Sequence, residues 1–173
     1  MNVLSLFKPI KLIAMDVDGV LTNGSLLLLQ DGQMARTMNI KDGYALQLAV
    51  KKGYEVVVIS GAEDSAVKNR LQKLGITQIH LGVTDKSSLL KELIRERQLD
   101  ASQVLFIGDD MPDYAVMQWV GLACCPSDAV SDIVQISSYI SAAKGGEGCV
   151  REVIEKVLRL NNDWGPDATI AAK

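Results

Sequence analysis

The sequence LIAMDVDG, residues 12–19, is the strongest indication of the fold that we expect for this chain. Four apolar residues lead directly into two carboxylates, Asp16 and Asp18, and then into Gly19. A continuous apolar run is typical of a strand buried on both faces of a parallel sheet, and the carboxyl ends of such strands are where α/β proteins place their binding sites. Carboxylates this close repel each other, and a divalent cation between them relieves the repulsion. We therefore expect a magnesium (Mg²⁺) site where this strand ends.

Composition places the chain among globular α/β proteins. Of its 173 residues, 48% are apolar and 23% are charged, which suits a packed core and does not suit a disordered chain. The net charge of −3 gives no basic surface, so we expect no nucleic-acid partner. The apolar runs are too short to span a membrane, and we expect no membrane association. Three unevenly spaced cysteines indicate buried, reduced thiols in a cytoplasmic protein.

Strand-like and helix-like segments alternate along the chain. Val56–Ile59 and Val104–Ile107 are further apolar runs, and segments with helical spacing begin near Asp42, Glu63 and Asp85. This alternation predicts a single domain over residues 1–173, with a doubly wound, mostly parallel α/β sheet of the Rossmann-like type. The tail over residues 161–173 has no helical period, so it is either frayed or docked on another surface.

A β-hairpin is predicted over residues 25–39, where Asp31-Gly32 joins two short runs rich in apolar residues. About forty residues separate Asp18 from Ser60, and the hairpin uses many of them. The remainder is too short to fold as a lid domain of typical size. We therefore expect no cap domain over the site.

The predicted strand ends carry the groups needed for phosphoryl transfer through an aspartyl phosphate. Asp16 would attack phosphorus, and Asp18 would protonate the leaving alkoxide and later activate water. Ser60 would hydrogen-bond a phosphoryl oxygen, and Lys86 would offset negative charge. Asp109 would join Asp16 and Asp18 in holding magnesium.

The acidic cluster that contains Asp109 also includes Asp110 and Asp113, which we expect to support the metal ligands from behind. Taken singly, Ser60-Gly61 is an ordinary turn and Lys86 an ordinary charge at a helix start. Receiver domains of response regulators use similar groups, but there the acidic pair comes early and the lysine late. Here the proposed nucleophile comes first and the acidic cluster last, which argues against a receiver.

These four motifs resemble those of the haloacid dehalogenase superfamily of phosphohydrolases, in its capless subclass. The segments 16–22, 39–44 and 145–153 also resemble the 3-deoxy-D-manno-octulosonate 8-phosphate phosphatases. The resemblance implies magnesium-dependent hydrolysis of that sugar-acid phosphate in lipopolysaccharide biosynthesis. It also implies a homotetramer in which the hairpins associate and a neighbour covers each site.

The resemblance also implies a set of residues that bind the sugar acid. The set comprises Asp18, Asn39, Lys41, Gly43, Gly61, Arg70 and Lys73, with Arg70 and Lys73 reaching a neighbour's site. Two positions depart from the family pattern: Ala62 stands where relatives have Arg or Glu, and Glu147 where Arg is usual. A 2-keto-3-deoxynononate 9-phosphate phosphatase or another sugar-phosphate phosphatase therefore remains an alternative. A non-enzymatic tetramerisation module is a further alternative, because a similar domain fused to animal cytidylyl-sialate synthetases looks like an assembly module.

Overall fold

The computed structural model describes residues 2–171, so the outermost residues of the predicted domain 1–173 and of the predicted tail 161–173 lie outside the described part. The strands are β1 (Leu12–Met15), β2 (Leu27–Leu28), β3 (Met34–Ala35), β4 (Glu55–Ile59), β5 (Gln78–His80), β6 (Val104–Ile107), β7 (Leu122–Cys125) and β8 (Tyr139–Ile140). The helices are α1 (Ile40–Lys51), α2 (Ser65–Lys73), α3 (Lys86–Glu96), α4 (Tyr114–Met117), α5 (Ser131–Ile136) and α6 (Cys149–Leu160). Short 3₁₀ turns cover Val3–Leu6, Ala101–Gln103 and Met111–Asp113.

Six strands form one parallel sheet in the order β5-β4-β1-β6-β7-β8. In the centre, Ala14 of β1 pairs with Val57 of β4 on one side and with Phe106 of β6 on the other. Every residue of β1 and of β6 is buried, as a sheet covered on both faces requires. The predicted doubly wound sheet is confirmed, and it brings the ends of β1, β4 and β6 side by side.

The side chains of β1 alternate between two apolar layers, as strand geometry dictates. Ile13 and Met15 pack in the layer formed with α1, α2 and α6. Leu12 and Ala14 face the opposite layer, which α3, α4 and α5 complete. The sheet is thus held from both sides, and the loops at its carboxyl edge start from a rigid base.

The predicted hairpin is confirmed between β1 and α1. Leu27 of β2 pairs antiparallel with Ala35 of β3, and the amide of Gly32 donates to the carbonyl of Leu29 in the turn. Its apolar side chains face outward, with Leu27 64% and Leu28 72% exposed. The described chain holds no further insertion between β1 and α1, in agreement with the absence of a cap domain.

The described part of the tail is docked rather than frayed. The hydroxyl of Tyr44 donates to the carbonyl of Gly165, and the ring of Trp164 lies edge-on to Tyr44 with ring centroids 5.8 Å apart. Arg151 places its guanidinium over both rings. Trp164 thus packs on α1 and α6 of its own chain.

One predicted helix differs from the structure. Pro112, a residue suited to the first turn of a helix, and the apolar residues that follow it predict a helix as far as Trp119, but the chain forms a 3₁₀ turn at Met111–Asp113 and then the short helix α4. The side chain of Asp110 accepts from the amide of Met111 and starts the turn. The tighter turn keeps Asp113 buried and directed at Lys86. No helix in residues 2–171 has the length and apolarity that crossing a membrane requires.

Candidate active site

The candidate site lies where β1, β4 and β6 end. The amide of Asp16 donates to the carbonyl of Ile107, so the sheet pairing continues to the first carboxylate. The amide of Ser60 likewise donates to the carbonyl of His80, beyond β4. Both side chains are buried. The sheet therefore fixes Asp16, the proposed nucleophile, and the hydroxyl of Ser60 at one edge, as the sequence predicted from their positions after β1 and β4.

The loop after β1 is held by Thr22 and requires glycine at position 19. The hydroxyl oxygen of Thr22 accepts from the amides of Gly19 and Gly24. Gly19 has φ = 84°, and a Cβ there would lie 1.9 Å from Asp109 Oδ2. Only glycine tolerates both this backbone conformation and this approach. Gly19 of the DxDG motif thus lets the loop turn directly against Asp109, which follows β6.

A second glycine supports the same loop from outside. A Cβ on Gly145 would lie 1.9 Å from the carbonyl oxygen of Gly19, so the two backbones are in direct contact. The amide of Gly146 donates to the carbonyl of Val20 at 3.0 Å. The glycine-rich turn therefore buttresses the loop that carries Asp16 and Asp18.

Lys86 is buried between two carboxylates. Its Nζ lies 2.8 Å from Asp16 Oδ2 and 2.7 Å from Asp113 Oδ1, and its side chain is 3% exposed. Burial opposes its charge, but the negative charges of Asp113 and Asp16 hold the pKa of Lys86 above its ordinary value. Lys86 is therefore a charged structural neighbour of the proposed nucleophile.

Three carboxylates converge beside Lys86. One oxygen each from Asp16, Asp109 and Asp113 lies within 4.8 Å of the others. Burial and the charge of Asp113 raise the pKa of Asp16 to about 6, and burial with the charges of Asp113 and Asp16 raises the pKa of Asp109 to about 7. Asp109 Oδ1 is buried and has no hydrogen-bond partner among residues 2–171. Oxygen ligands, mutual repulsion and an unpartnered oxygen fit a divalent cation such as Mg²⁺.

The side chain of Asp18 lies outside this group of oxygens. Arg36, which follows β3 in the hairpin, places Nε 2.7 Å from Asp18 Oδ1 and Nη2 3.1 Å from Oδ2. Its third nitrogen, Nη1, donates to Asp64 Oδ2 at 2.8 Å. Of the two acidic neighbours expected to support the ligands, Asp113 belongs to the carboxylate group itself, whereas Asp110 is exposed and caps the 3₁₀ turn.

The structure gathers all four predicted catalytic residues, and Asp109, around one cavity of about 300 Å³. Its lining comprises Asp16, Asp18, Gly24, Ser60, Gly61, Ala62, Val83, Lys86, Asp109, Asp110 and Pro112. The Ser60 hydroxyl oxygen accepts from the amide of Ala62, which leaves its hydrogen free for an incoming oxygen. Asp113 supports this cavity from behind through Lys86 and the amide of Asp109.

The predicted sugar-binding residues are more dispersed. Arg70 lines a neighbouring groove of about 790 Å³ together with Arg36. Asn39 caps α1 by accepting from the amide of Lys41, whose side chain is exposed. Gly43 is buried beside Arg70. The remaining member, Lys73, is exposed at the end of α2. None of these five lines the catalytic cavity of its own chain.

Sequence reasoning missed Arg36 as a functional residue. No motif marks it, because its partners Asp18 and Asp64 are far from it in sequence. The available signal was that Arg36 is the only basic residue in the predicted hairpin, residues 25–39.

Comparison with known proteins agrees with this geometry. Residues 78–153 match the family model of haloacid dehalogenase-like hydrolases. The 3-deoxy-D-manno-octulosonate 8-phosphate phosphatase of Yersinia pestis is 34% identical over 149 residues, covering 86% of this chain and 80% of the relative. The phosphatase of the same name from Escherichia coli K12 is 32% identical over 157 residues, covering 91% of this chain and 84% of the relative.

Solved structures give the same result. The octulosonate 8-phosphate phosphatase of Moraxella catarrhalis, in complex with a magnesium ion, a phosphate ion and KDO, superimposes with a TM-score of 0.90 at 32% identity, covering 94% of this chain and 93% of that one. A probable phosphatase of the yrbI family from Pseudomonas syringae also superimposes with a TM-score of 0.90. It is 37% identical, and the match covers 93% of this chain and 92% of that one. The chain therefore belongs to the 3-deoxy-D-manno-octulosonate 8-phosphate phosphatase family of haloacid dehalogenase-like hydrolases.

Proposed function

We propose that this protein is a magnesium-dependent phosphomonoesterase that hydrolyses 3-deoxy-D-manno-octulosonate 8-phosphate to the free sugar acid and phosphate. The observation that carries the proposal is the convergence of Asp16, Asp109 and Asp113 around Lys86 at the edge of the sheet. The names of the relatives supply the substrate. They favour the eight-carbon over the nine-carbon acid.

The chain's own residues account for both chemical steps. Asp16 attacks phosphorus, the bond from phosphorus to the sugar oxygen breaks, and Asp18 gives that oxygen a proton. Water then attacks the aspartyl phosphate while Asp18 takes its proton, and the bond from phosphorus to Asp16 breaks to release phosphate. Ser60 donates its hydroxyl to a phosphoryl oxygen. Lys86 holds Asp16 in place and offsets its charge.

Asp16 and Asp109 would hold the magnesium ion, with Asp113 beside them. Asp18 was the third predicted ligand, but its carboxylate faces Arg36. We therefore propose that Asp18 serves chiefly as acid and base. The ion would offset the charge of the phosphoryl group and of the clustered carboxylates. The fit is supported by the buried, unpartnered oxygen of Asp109. We propose sugar-acid contacts for the remaining predicted residues, Asn39, Lys41, Gly43, Gly61, Arg70 and Lys73.

We further propose that the protein acts as a cytoplasmic homotetramer. The outward-facing apolar side chains of β2 support association through the hairpin, because an exposed apolar strand pair is a liability in a monomer. All three cysteines are free and buried, which suits a reducing compartment. A pure tetramerisation module would not need the buried catalytic set, so the enzyme is the better explanation.

Phosphate release from a panel of sugar phosphates tests the function. The panel contains the eight-carbon and nine-carbon keto acids side by side, each with Mg²⁺ and with EDTA. We expect magnesium-dependent release, fastest from the eight-carbon acid. Faster release from the nine-carbon acid would keep the mechanism and change the substrate, whereas no release from any compound would favour the module.

A further inference from the structure

Arg36 brings a buried cation from the hairpin onto the proposed acid and base. Its guanidinium engages both carboxylate oxygens of Asp18, at 2.7 and 3.1 Å, and one oxygen of Asp64, at 2.8 Å. The Arg36 side chain is 7% exposed. Three charge-assisted hydrogen bonds at a buried guanidinium define a specific contact, unlike a solvated surface ion pair.

This contact opposes the work assigned to Asp18. While Arg36 donates to both oxygens, one lone pair of each is taken and the carboxylate is fixed on the hairpin, so it is not free to turn to the leaving oxygen or to water. The reaction therefore requires Arg36 to release Asp18 at least in part. Releasing Asp18 leaves Nε and Nη2 of Arg36 without acceptors, which is costly for a side chain that is only 7% exposed, so the two nitrogens need another anion.

The charge balance of the cavity indicates which anion replaces Asp18. Four carboxylates line the cavity, whereas Lys86, the one cation among its described lining residues, and the proposed magnesium ion together supply three positive charges. Lys86 is already engaged by Asp16 and Asp113. A phosphoryl group adds between one and two further negative charges at neutral pH. Its oxygens match the forked guanidinium as a carboxylate does.

We propose that Arg36 binds the phosphoryl group of the substrate and that Asp18 is its partner only in the resting enzyme. When the phosphoryl group enters, the guanidinium exchanges Asp18 for phosphoryl oxygens, and Asp18 becomes free for proton transfer. Asp64 holds Arg36 in place during the exchange. Its Oδ1 is fixed by the amides at the start of α2, and its Oδ2 continues to accept from Nη1 of Arg36. The inference rests on the proposed function and adds a substrate-binding residue to it.

Binding of inorganic phosphate to the magnesium-loaded full chain tests the exchange without turnover. Calorimetric titration gives dissociation constants for the wild type, Arg36→Ala, Asp18→Asn and the double variant. We expect Arg36→Ala to weaken phosphate binding about tenfold in the wild-type background. In the Asp18→Asn background, where Arg36 has lost its competing partner, the same substitution should weaken binding about a hundredfold.

The four proteins form a double-mutant cycle that removes the general effect of deleting the Asp18 charge, since that effect is present with and without Arg36. An equal weakening in both backgrounds, or none, would overturn the exchange. Lys68→Ala, which removes an exposed cation of α2, should bind phosphate like the wild type. If Arg36→Ala fails to fold, Arg36→Lys gives the same comparison, because a lysine cannot form the fork.

Failure of the proposed function gives a different result. A wild-type protein that hydrolyses no sugar phosphate would overturn the function, while the phosphate cycle could still be measured. A wild type that hydrolyses the sugar phosphate but shows no coupling between Arg36 and Asp18 would overturn only this inference.

Discussion

Lys86 is the residue on which the electrostatics of the site depend. Its ammonium lies between two buried carboxylates, Asp16 and Asp113, and offsets one of their two negative charges, which reduces the repulsion among them and Asp109. Removing one partner from such a group leaves buried charge uncompensated, which costs more than the intact group contributes. Lys86 therefore serves both the stability of the site and its chemistry.

Replacing Lys86 with methionine should lower the free energy of unfolding by about 3 to 5 kcal/mol and abolish turnover. The hydrocarbon stem is kept, so the loss reports the charge rather than a cavity. Urea denaturation in EDTA measures it, and Lys68→Met is the matched control, expected to change stability by less than about 0.5 kcal/mol. A Lys86→Met protein as stable as the control would contradict the role given to this ammonium.

Asp18→Asn separates proton transfer from folding. The variant cannot donate or accept the proton, so turnover should fall on the order of 10²- to 10⁴-fold. Asparagine keeps one oxygen that can accept from Arg36, and Arg36 keeps its contact with Asp64, so the loss of stability should stay below about 2 kcal/mol. Steady-state kinetics and thermal unfolding measure the two effects. Unchanged turnover would refute the assignment of Asp18.

At the level of elements, α1 and α6 are joined by an unusual cap. Helix α6 begins after Gly148, which has no side chain to satisfy the first amides. Asp42 of α1 supplies the missing acceptor, since its Oδ1 accepts from the amide of Arg151 at 2.7 Å. Its other oxygen is buried without a hydrogen-bond partner among the described residues. Burial raises the pKa of Asp42 to about 6.

This raised pKa predicts a pH dependence of stability. The folded protein holds the Asp42 proton up to about pH 6, whereas the unfolded chain releases it near pH 4. The contribution of Asp42 to the free energy of unfolding therefore decreases as the pH rises from about 4 to about 6. Asp42→Asn keeps Oδ1 and removes the titration. As the pH rises from about 5 to about 7.5, the free energy of unfolding of the variant should increase by about 1 kcal/mol relative to that of the wild type.

Urea denaturation at the two pH values measures the effect of Asp42→Asn. Asp42→Ala also removes the titration but loses the cap as well, so it should be less stable than Asp42→Asn at both pH values. A stability difference between wild type and Asp42→Asn that does not change with pH would rule out the predicted titration.

At the scale of the whole molecule, the hairpin predicts assembly. Leu28→Glu places a charge at the most exposed apolar position of β2, so the proposed tetramer should dissociate and activity should fall with it. Sedimentation velocity and phosphate release measure both effects. Leu4→Glu, at an exposed apolar position outside the hairpin, should leave assembly unchanged. A wild-type protein that is monomeric and fully active would contradict the tetramer.

The sheet and most of the cavity can be predicted from the amino-acid sequence alone. Apolar runs such as Leu12–Met15 can be read as buried parallel strands, and the residue after each run must lie at the same edge of the sheet. Asp16, Ser60 and Asp109 follow from that rule, because strand geometry is local and repetitive. Gly19 follows as well, since a turn directly after the carboxylates needs its conformational freedom.

The pairing of the charges, in contrast, is visible only in the folded structure. It joined Lys86 to Asp113 as well as to Asp16, directed Asp18 to Arg36, gave Asp42 to the amide of Arg151, and docked Trp164 on Tyr44. Each of these contacts joins elements that are distant in sequence. Local propensity carries no information about such partners, because which charges meet depends on how helices and loops pack around the finished sheet.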